Sequence, residues 1–89
     1  MIQFRTHLFR KVTIVGVGLI GGSIGLAIKK HRLAREVAGI SRQPASLTQA
    51  LKVWAIDKSF HDLKKAVECA DLVILSTPAK TIIEILSTI

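Results

Sequence analysis

The chain is poor in several residue types, and each scarcity removes a class of function. A single cysteine, Cys69, cannot close an internal disulfide, which argues against a small secreted scaffold held together by bridges. With that one cysteine and three scattered histidines, His7, His31 and His61, no zinc-ligand spacing can be written. Aromatic residues make up 4% of the chain, are not clustered, and accompany no nucleic-acid recognition motif. Acidic residues are also few: six Asp and Glu stand against thirteen Lys and Arg, a net charge of +7 that suits an anionic partner. Length sets a further bound, because 89 residues hold one small domain and no complete two-domain enzyme. A hydrophobic fraction of 49% with 21% charged residues is that of a globular chain and excludes a disordered tail.

What the chain does have is concentrated glycine. Five of its six glycines, Gly16, Gly18, Gly21, Gly22 and Gly25, fall within ten residues. Such clustering marks a place where the backbone turns tightly or something approaches it closely.

The segments around that cluster alternate. Lys11–Gly16 is a β-branched run that stops at glycine and reads as a buried strand. A helix is expected from Leu19 to about His31, with Ile20, Ile24, Ala27 and Ile28 for its apolar face. Glu36–Ser41 reads as a second strand, and Pro44 opens a helix over Ala45–Val53 with Leu47, Ala50 and Leu51 at helical spacing. Trp54–Ile56 is expected as a short third strand, with Trp54 covering the sheet edge. Phe60–Cys69 is weakly helical, and Cys69 is expected to be a small buried group. Asp71–Thr77 is the clearest strand, with Asp71 in a turn role and Pro78 as its terminator; Lys80–Ile89 again reads as helix. Strands alternating with helices specify an α/β fold: a Rossmann-type parallel sheet with flanking helices, incomplete at about four strands. Residues 1–10, basic and aperiodic, read as a leader, and 11–89 as the folded unit. An apolar fourth strand at a sheet edge needs a neighbour, so the 89-residue piece is expected to be marginal alone.

Gly16-Val-Gly18-Leu-Ile-Gly21 fits G-x-G-x-x-G between an expected strand and an expected helix, the context that gives the motif meaning. Gly16 permits the turn, Gly18 removes a side chain that would block a pyrophosphate, and Gly21 lets the helix lie close on the strand. The N–H groups that open the helix, including those of Leu19 and Ile20, then hold the phosphate charge. Two other readings start from the uncharged stretch Val12–Ile28 after Arg10 and Lys11: a membrane helix and a signal peptide. Five glycines are poor in an isolated helix, and neither reading explains the strand and helix signals that continue downstream.

The end of the second strand bears on which dinucleotide is bound. About 20 residues beyond the glycines an NAD-preferring fold carries Asp or Glu for the ribose hydroxyls. Ser41-Arg42 stands there instead, a hydroxyl and a guanidinium fork suited to a 2′-phosphate, which points to NADP with NAD as the alternative.

The run Val12–Ser23, followed by Ala38–Arg42, Ala55–Asp57 and Ala70–Pro78, resembles the opening of prephenate and arogenate dehydrogenases from Lys11 onward. The resemblance implies the cofactor-binding part of an NAD(P)-dependent enzyme of tyrosine biosynthesis, which oxidatively decarboxylates prephenate or arogenate. It implies pyrophosphate contacts from Gly16, Gly18, Leu19, Ile20 and Gly21, and ribose or 2′-phosphate contacts from Ser41 and Arg42. Ser76, Thr77 and Pro78 would border the dinucleotide on its inner side. Members of the family add further strands and a helical domain that binds substrate and dimerises, so this chain is expected to be a fragment. None of the three histidines matches the family's catalytic one, and no catalytic or metal-binding residue is assigned. The implied protein is a cytoplasmic homodimer that binds neither nucleic acid nor membrane. The alternatives are another dehydrogenase or imine reductase with a similar N-terminal domain, or a non-catalytic nucleotide-binding module.

Overall fold

Burial on both faces explains why the first strand is an unbroken β-branched run. In the computed structural model, which describes residues 8–76, Val12, Thr13 and Ile14 are all fully buried in β1 (Phe9–Val15). After it come α1 (Leu19–Lys30), β2 (Ala34–Ile40), α2 (Pro44–Lys52), β3 (Lys58–Phe60), α3 (Leu63–Val67) and β4 (Leu72–Leu75). The strands form one parallel sheet in the order β3-β2-β1-β4. Both connections from β1 to β3 step the same way across the sheet, and the return to β4 crosses to the far side of β1. Right-handed crossovers therefore place α1 and α2 on one face and α3 on the other. Alternate residues of β1 show this division: Ile14 lies under Gly21 and Gly25 of α1, while the Thr13 hydroxyl donates to the Ala66 carbonyl of α3 at 2.5 Å. The main core, including Val12, Ile14, Val37, Leu47 and Ile56, fills the α1/α2 face.

Short-range chemistry sets the helix ends. Pro44 occupies the first turn of α2, where its missing N–H costs nothing, and the Asp62 carboxylate caps α3 by accepting from the Lys64 N–H at 3.2 Å. Helices α1 and α2 both close in Schellman turns without glycine. In α1, Arg32 has φ of 53° and donates to Lys29 O at 3.2 Å, while Leu33 N reaches Ile28 O at 3.0 Å. In α2, Trp54 has φ of 64°, with bonds from Trp54 N to Leu51 O and from Ala55 N to Ala50 O.

That second turn corrects the expected third strand. Trp54-Ala55-Ile56 is the exit of α2, its two small-to-medium apolar residues buried beneath the helix, and β3 starts later at Lys58. Trp54 itself is exposed and does not cover the sheet edge. The expected apolar face of α1 is corrected too: Gly21, Gly25 and Ile28 point inward, whereas Ile20 and Ala27 are exposed. Leu51 of α2 is likewise exposed, at 38%. Cys69 is exposed in a left-handed turn with φ of 61°, not buried. The first strand starts two residues before the expected Lys11, because Phe9 and Arg10 belong to β1 and Phe9 N bonds to Leu33 O. Asp71 ties β4 to β1 through both its groups: its N–H donates to Lys11 O at 2.8 Å and its carboxylate accepts from Arg10 N at 2.6 Å. The expected helix over Lys80–Ile89 lies outside the described residues.

Close packing of α1 yields a paired prediction. A Cβ on Gly25 would stand 2.3 Å from the Ala55 carbonyl oxygen, whereas one on Gly22 would meet nothing within 4 Å. Gly25→Ala should therefore destabilise by about 1–3 kcal/mol, and Gly22→Ala should be neutral or stabilise by up to about 1 kcal/mol. Thermal unfolding of the intact gene product checks both; equal effects at the two positions would contradict the packing described.

Candidate nucleotide-binding site

Three strand ends converge on the glycine turn. At the end of β2 the Ile40 carbonyl accepts from Gly16 N at 2.8 Å and from Val17 N at 3.3 Å. From the other side, Ser76 after β4 donates its N–H to Val15 O at 2.9 Å and its hydroxyl to Gly16 O at 2.7 Å. The turn thus sits at the carboxyl edge of the sheet between β1 and β4, where the strand order reverses. Crevices at that point are where open α/β sheets take their ligands.

Each glycine of the motif has its own physical reason. Gly16 has φ of 90°, a left-handed conformation that other residues rarely adopt. Gly21 is a packing glycine: a Cβ there would lie 2.9 Å from both Gly16 O and Ser76 Oγ, and 3.2 Å from Ile14. Gly18 differs from both. As the N-cap of α1 it has φ of −149°, and a Cβ on it would meet no protein atom within 4 Å. Nothing in the described structure requires glycine at 18; the open space beside it does, if something else is to come close.

The electrostatics of that space favour an anion. No side chain caps α1, and its first turn holds no acidic residue. Its hydrogen-bond ladder begins with Gly22 N donating to Gly18 O at 2.8 Å, which leaves the N–H groups of Leu19, Ile20 and Gly21 ahead of the ladder. Those donors and the positive end of the helix dipole sum at one point. The Ile20 side chain is 71% exposed there. A groove of about 470 Å³ between α1 and α2 opens beside Gly18 and Gly22, lined also by Leu26, Ala45 and Val53.

Ser41 and Arg42 follow Ile40 directly, at the same edge of the sheet as the turn. Ser41 is half-buried and its hydroxyl accepts from Gln43 N at 3.2 Å; Arg42 is exposed. No acidic residue occurs between Ile40 and Leu47. The fold therefore brings Gly16, Gly18, Leu19, Ile20, Gly21, Ser41, Arg42 and Ser76 to one edge. Thr77, Pro78 and His7 lie outside the described residues. His31, at the end of α1, is exposed away from this edge; His61 is exposed and follows Phe60, the partner of Ile40, so it lies at the same edge but on β3, two strands from the glycine turn. Among the described residues no cluster of His, Cys, Asp or Glu could hold a metal ion, and no helix is long and apolar enough to cross a membrane.

Two structural ties were not legible in advance. The Ser76 hydroxyl bond to Gly16 is one. The other is Asp57, whose carboxylate accepts from Val37 N at 2.8 Å and pairs with Lys29, joining the end of α1 to β2. The sequence signal for it was the Ala55-Ile-Asp57 string, which marks a position but not a partner.

Residues 24–89 match the family model for the prephenate dehydrogenase, nucleotide-binding domain. The chain belongs to that family. The matched stretch starts just after the glycine turn, but a curated relative takes in the turn as well. The prephenate dehydrogenase of Lactococcus lactis subsp. cremoris (strain MG1363) is 39% identical over 80 residues, 90% of this chain and 22% of the relative. Among solved structures, the prephenate dehydrogenase from A. aeolicus in complex with hydroxyphenyl propionate and NAD+ superposes with a TM-score of 0.77. It is 31% identical and covers 85% of this chain and 27% of that one. The Synechocystis arogenate dehydrogenase gives 0.78 at 29% identity, over 88% of this chain and 27% of that one. The chain thus spans about a fifth of the length of the curated relatives it matches.

In this member of the family, a substitution at Gly18 reads stability and dinucleotide binding separately, because a Cβ there meets no protein atom within 4 Å. Gly18→Ala should leave unfolding of the nucleotide-free protein within about 0.5 kcal/mol of the parent. Its methyl group should weaken dinucleotide binding by about tenfold or more, the effect of an intruding group costing about 1–3 kcal/mol. Calorimetric titration beside a thermal melt checks this; a destabilised protein with unchanged affinity would refute it.

Proposed function

We propose that this domain holds a nicotinamide dinucleotide, NADP in preference to NAD, for the oxidative decarboxylation of prephenate or arogenate in tyrosine biosynthesis. The observation that carries the reading is the uncapped, acid-free first turn of α1 beside the open face of Gly18. The site fits the group: the space at Gly18 admits a pyrophosphate, and the donors ahead of the α1 ladder match its oxygens. The bound dinucleotide supplies the nicotinamide ring that accepts hydride as carbon dioxide leaves the substrate.

The residues of this chain bind and orient. Gly16 sets the turn, Gly18 gives access, and the backbone N–H groups of Leu19, Ile20 and Gly21 take the pyrophosphate. Ser41 and Arg42 take the adenosine ribose and its 2′-phosphate. Ser76 borders the inner side of the dinucleotide, together with Thr77 and Pro78. No residue of this chain is assigned to catalysis, and the groups that act on substrate belong to the remainder of the enzyme. Prephenate and arogenate are both kept as substrates because the solved neighbours include an enzyme named for each. A homodimer in the cytoplasm completes the proposal.

The preference for NADP rests on Arg42 and on the lack of an acid beside it. Arg42→Asp should raise the Kd for NADP by about 10–100-fold, the loss of a charge-assisted bond plus repulsion, and should leave NAD equal or improved. Titrating both dinucleotides into the intact gene product decides this. A variant that keeps the parent's ratio of NADP to NAD affinity would remove Arg42 from the site.

A further inference from the structure

Ser76 makes a contact that bordering a ligand does not require. It closes β4, extends the β4–β1 ladder by its N–H bond to Val15 O at 2.9 Å, and then turns its hydroxyl onto the glycine turn. That hydroxyl donates to Gly16 O at 2.7 Å, with Val15 O a second, longer acceptor at 3.3 Å. The residue it grips is the one least able to hold itself. Gly16 is free of side-chain restraint and sits at φ of 90°, and its carbonyl belongs to the peptide that leads into Val17 and Gly18. Among the described residues the Ser76 hydroxyl is the hydrogen-bond donor to that carbonyl.

Helix α1 is seated on this same bond. The place of a Gly21 Cβ is 2.9 Å from Ser76 Oγ and 2.9 Å from Gly16 O, so donor and acceptor both occupy the space that a side chain at 21 would need. Ser76, Gly16 and Gly21 therefore form one three-way contact. It fixes the peptide entering α1 and hence the direction of the N–H groups at its start.

We infer that Ser76 is a positioning residue for the dinucleotide: its hydroxyl locks the Gly16 carbonyl and so aims the first turn of α1 at the pyrophosphate. The third glycine of the motif makes room for that hydroxyl as well as for the strand. The inference rests on the nucleotide-binding reading given above.

Ser76→Ala removes the bond without adding an atom. In the nucleotide-free intact protein, amide hydrogen exchange in Ser76→Ala should quicken about tenfold over residues 16–22, the order expected for one lost hydrogen bond. Exchange at Val12–Ile14 and Val37–Gly39 should stay as in the parent. The Kd for NADP, or for NAD if the parent prefers it, should rise about tenfold. Exchange and affinity both within twofold of the parent would overturn the inference while leaving the nucleotide site standing. Exchange that quickens equally across the whole sheet would overturn it too, since Ser76 would then be a plain stabilising residue. A parent that binds neither dinucleotide overturns the nucleotide reading, and this inference with it.

Discussion

The structure depends on how closely α1 lies against the sheet. Gly21 and Gly25 leave no room for even a methyl group between the helix and the backbone of Gly16 and Ala55. That approach is possible only because the row of α1 facing inward is built largely of glycine, at a cost in helix propensity of about 1 kcal/mol per residue. Burial of Ile14, Ile28 and Ile56 around the contact offsets that cost. A consequence is that the start of α1 is held a short distance beyond the ends of β1 and β4. Its donors converge on the crevice between those strands.

Holding the helix there is only half of the site; the other half is what has been kept away from it. The first turn of α1 has no capping side chain and no carboxylate, and the loop after β2 offers Ser41 and Arg42 in place of an acid. In a chain of net charge +7 this edge is left for an anion to complete. The face of the sheet that carries α3 differs. There a hollow of about 820 Å³ is lined by charges of both signs: Lys58 pairs with Glu36 at 3.4 Å, and the Lys11 ammonium donates to the Glu68 backbone carbonyl at 2.8 Å.

Most of the architecture was legible because the strands and helices carry their own signatures. The β-branched run of β1, Pro44 at the start of α2 and the apolar run of β4 each point to a single element. The glycine motif points to the site because its spacing carries a geometric demand. What was misread follows from two physical causes. Hydrophobicity cannot reveal a helix face made of glycine, so the apolar pattern points Ile20 and Ala27 inward where Gly21 and Gly25 hold that position. Helix ends are read from glycine, and here Arg32 and Trp54 take the left-handed turn instead. The exit of α2 therefore carries the pattern of a strand, whereas β3 begins only at Lys58. The hold of Ser76 on Gly16 joins residues 60 apart in sequence and has no local signal.

The central claim is that the first turn of α1 receives the pyrophosphate. A crystal structure of the intact gene product with its bound dinucleotide tests it most directly. The account predicts pyrophosphate oxygens about 3 Å from the backbone nitrogens at the start of α1, with the adenosine ribose beside Ser41 and Arg42. A dinucleotide seated elsewhere, in the hollow around Lys58 and Phe60 for example, would contradict it.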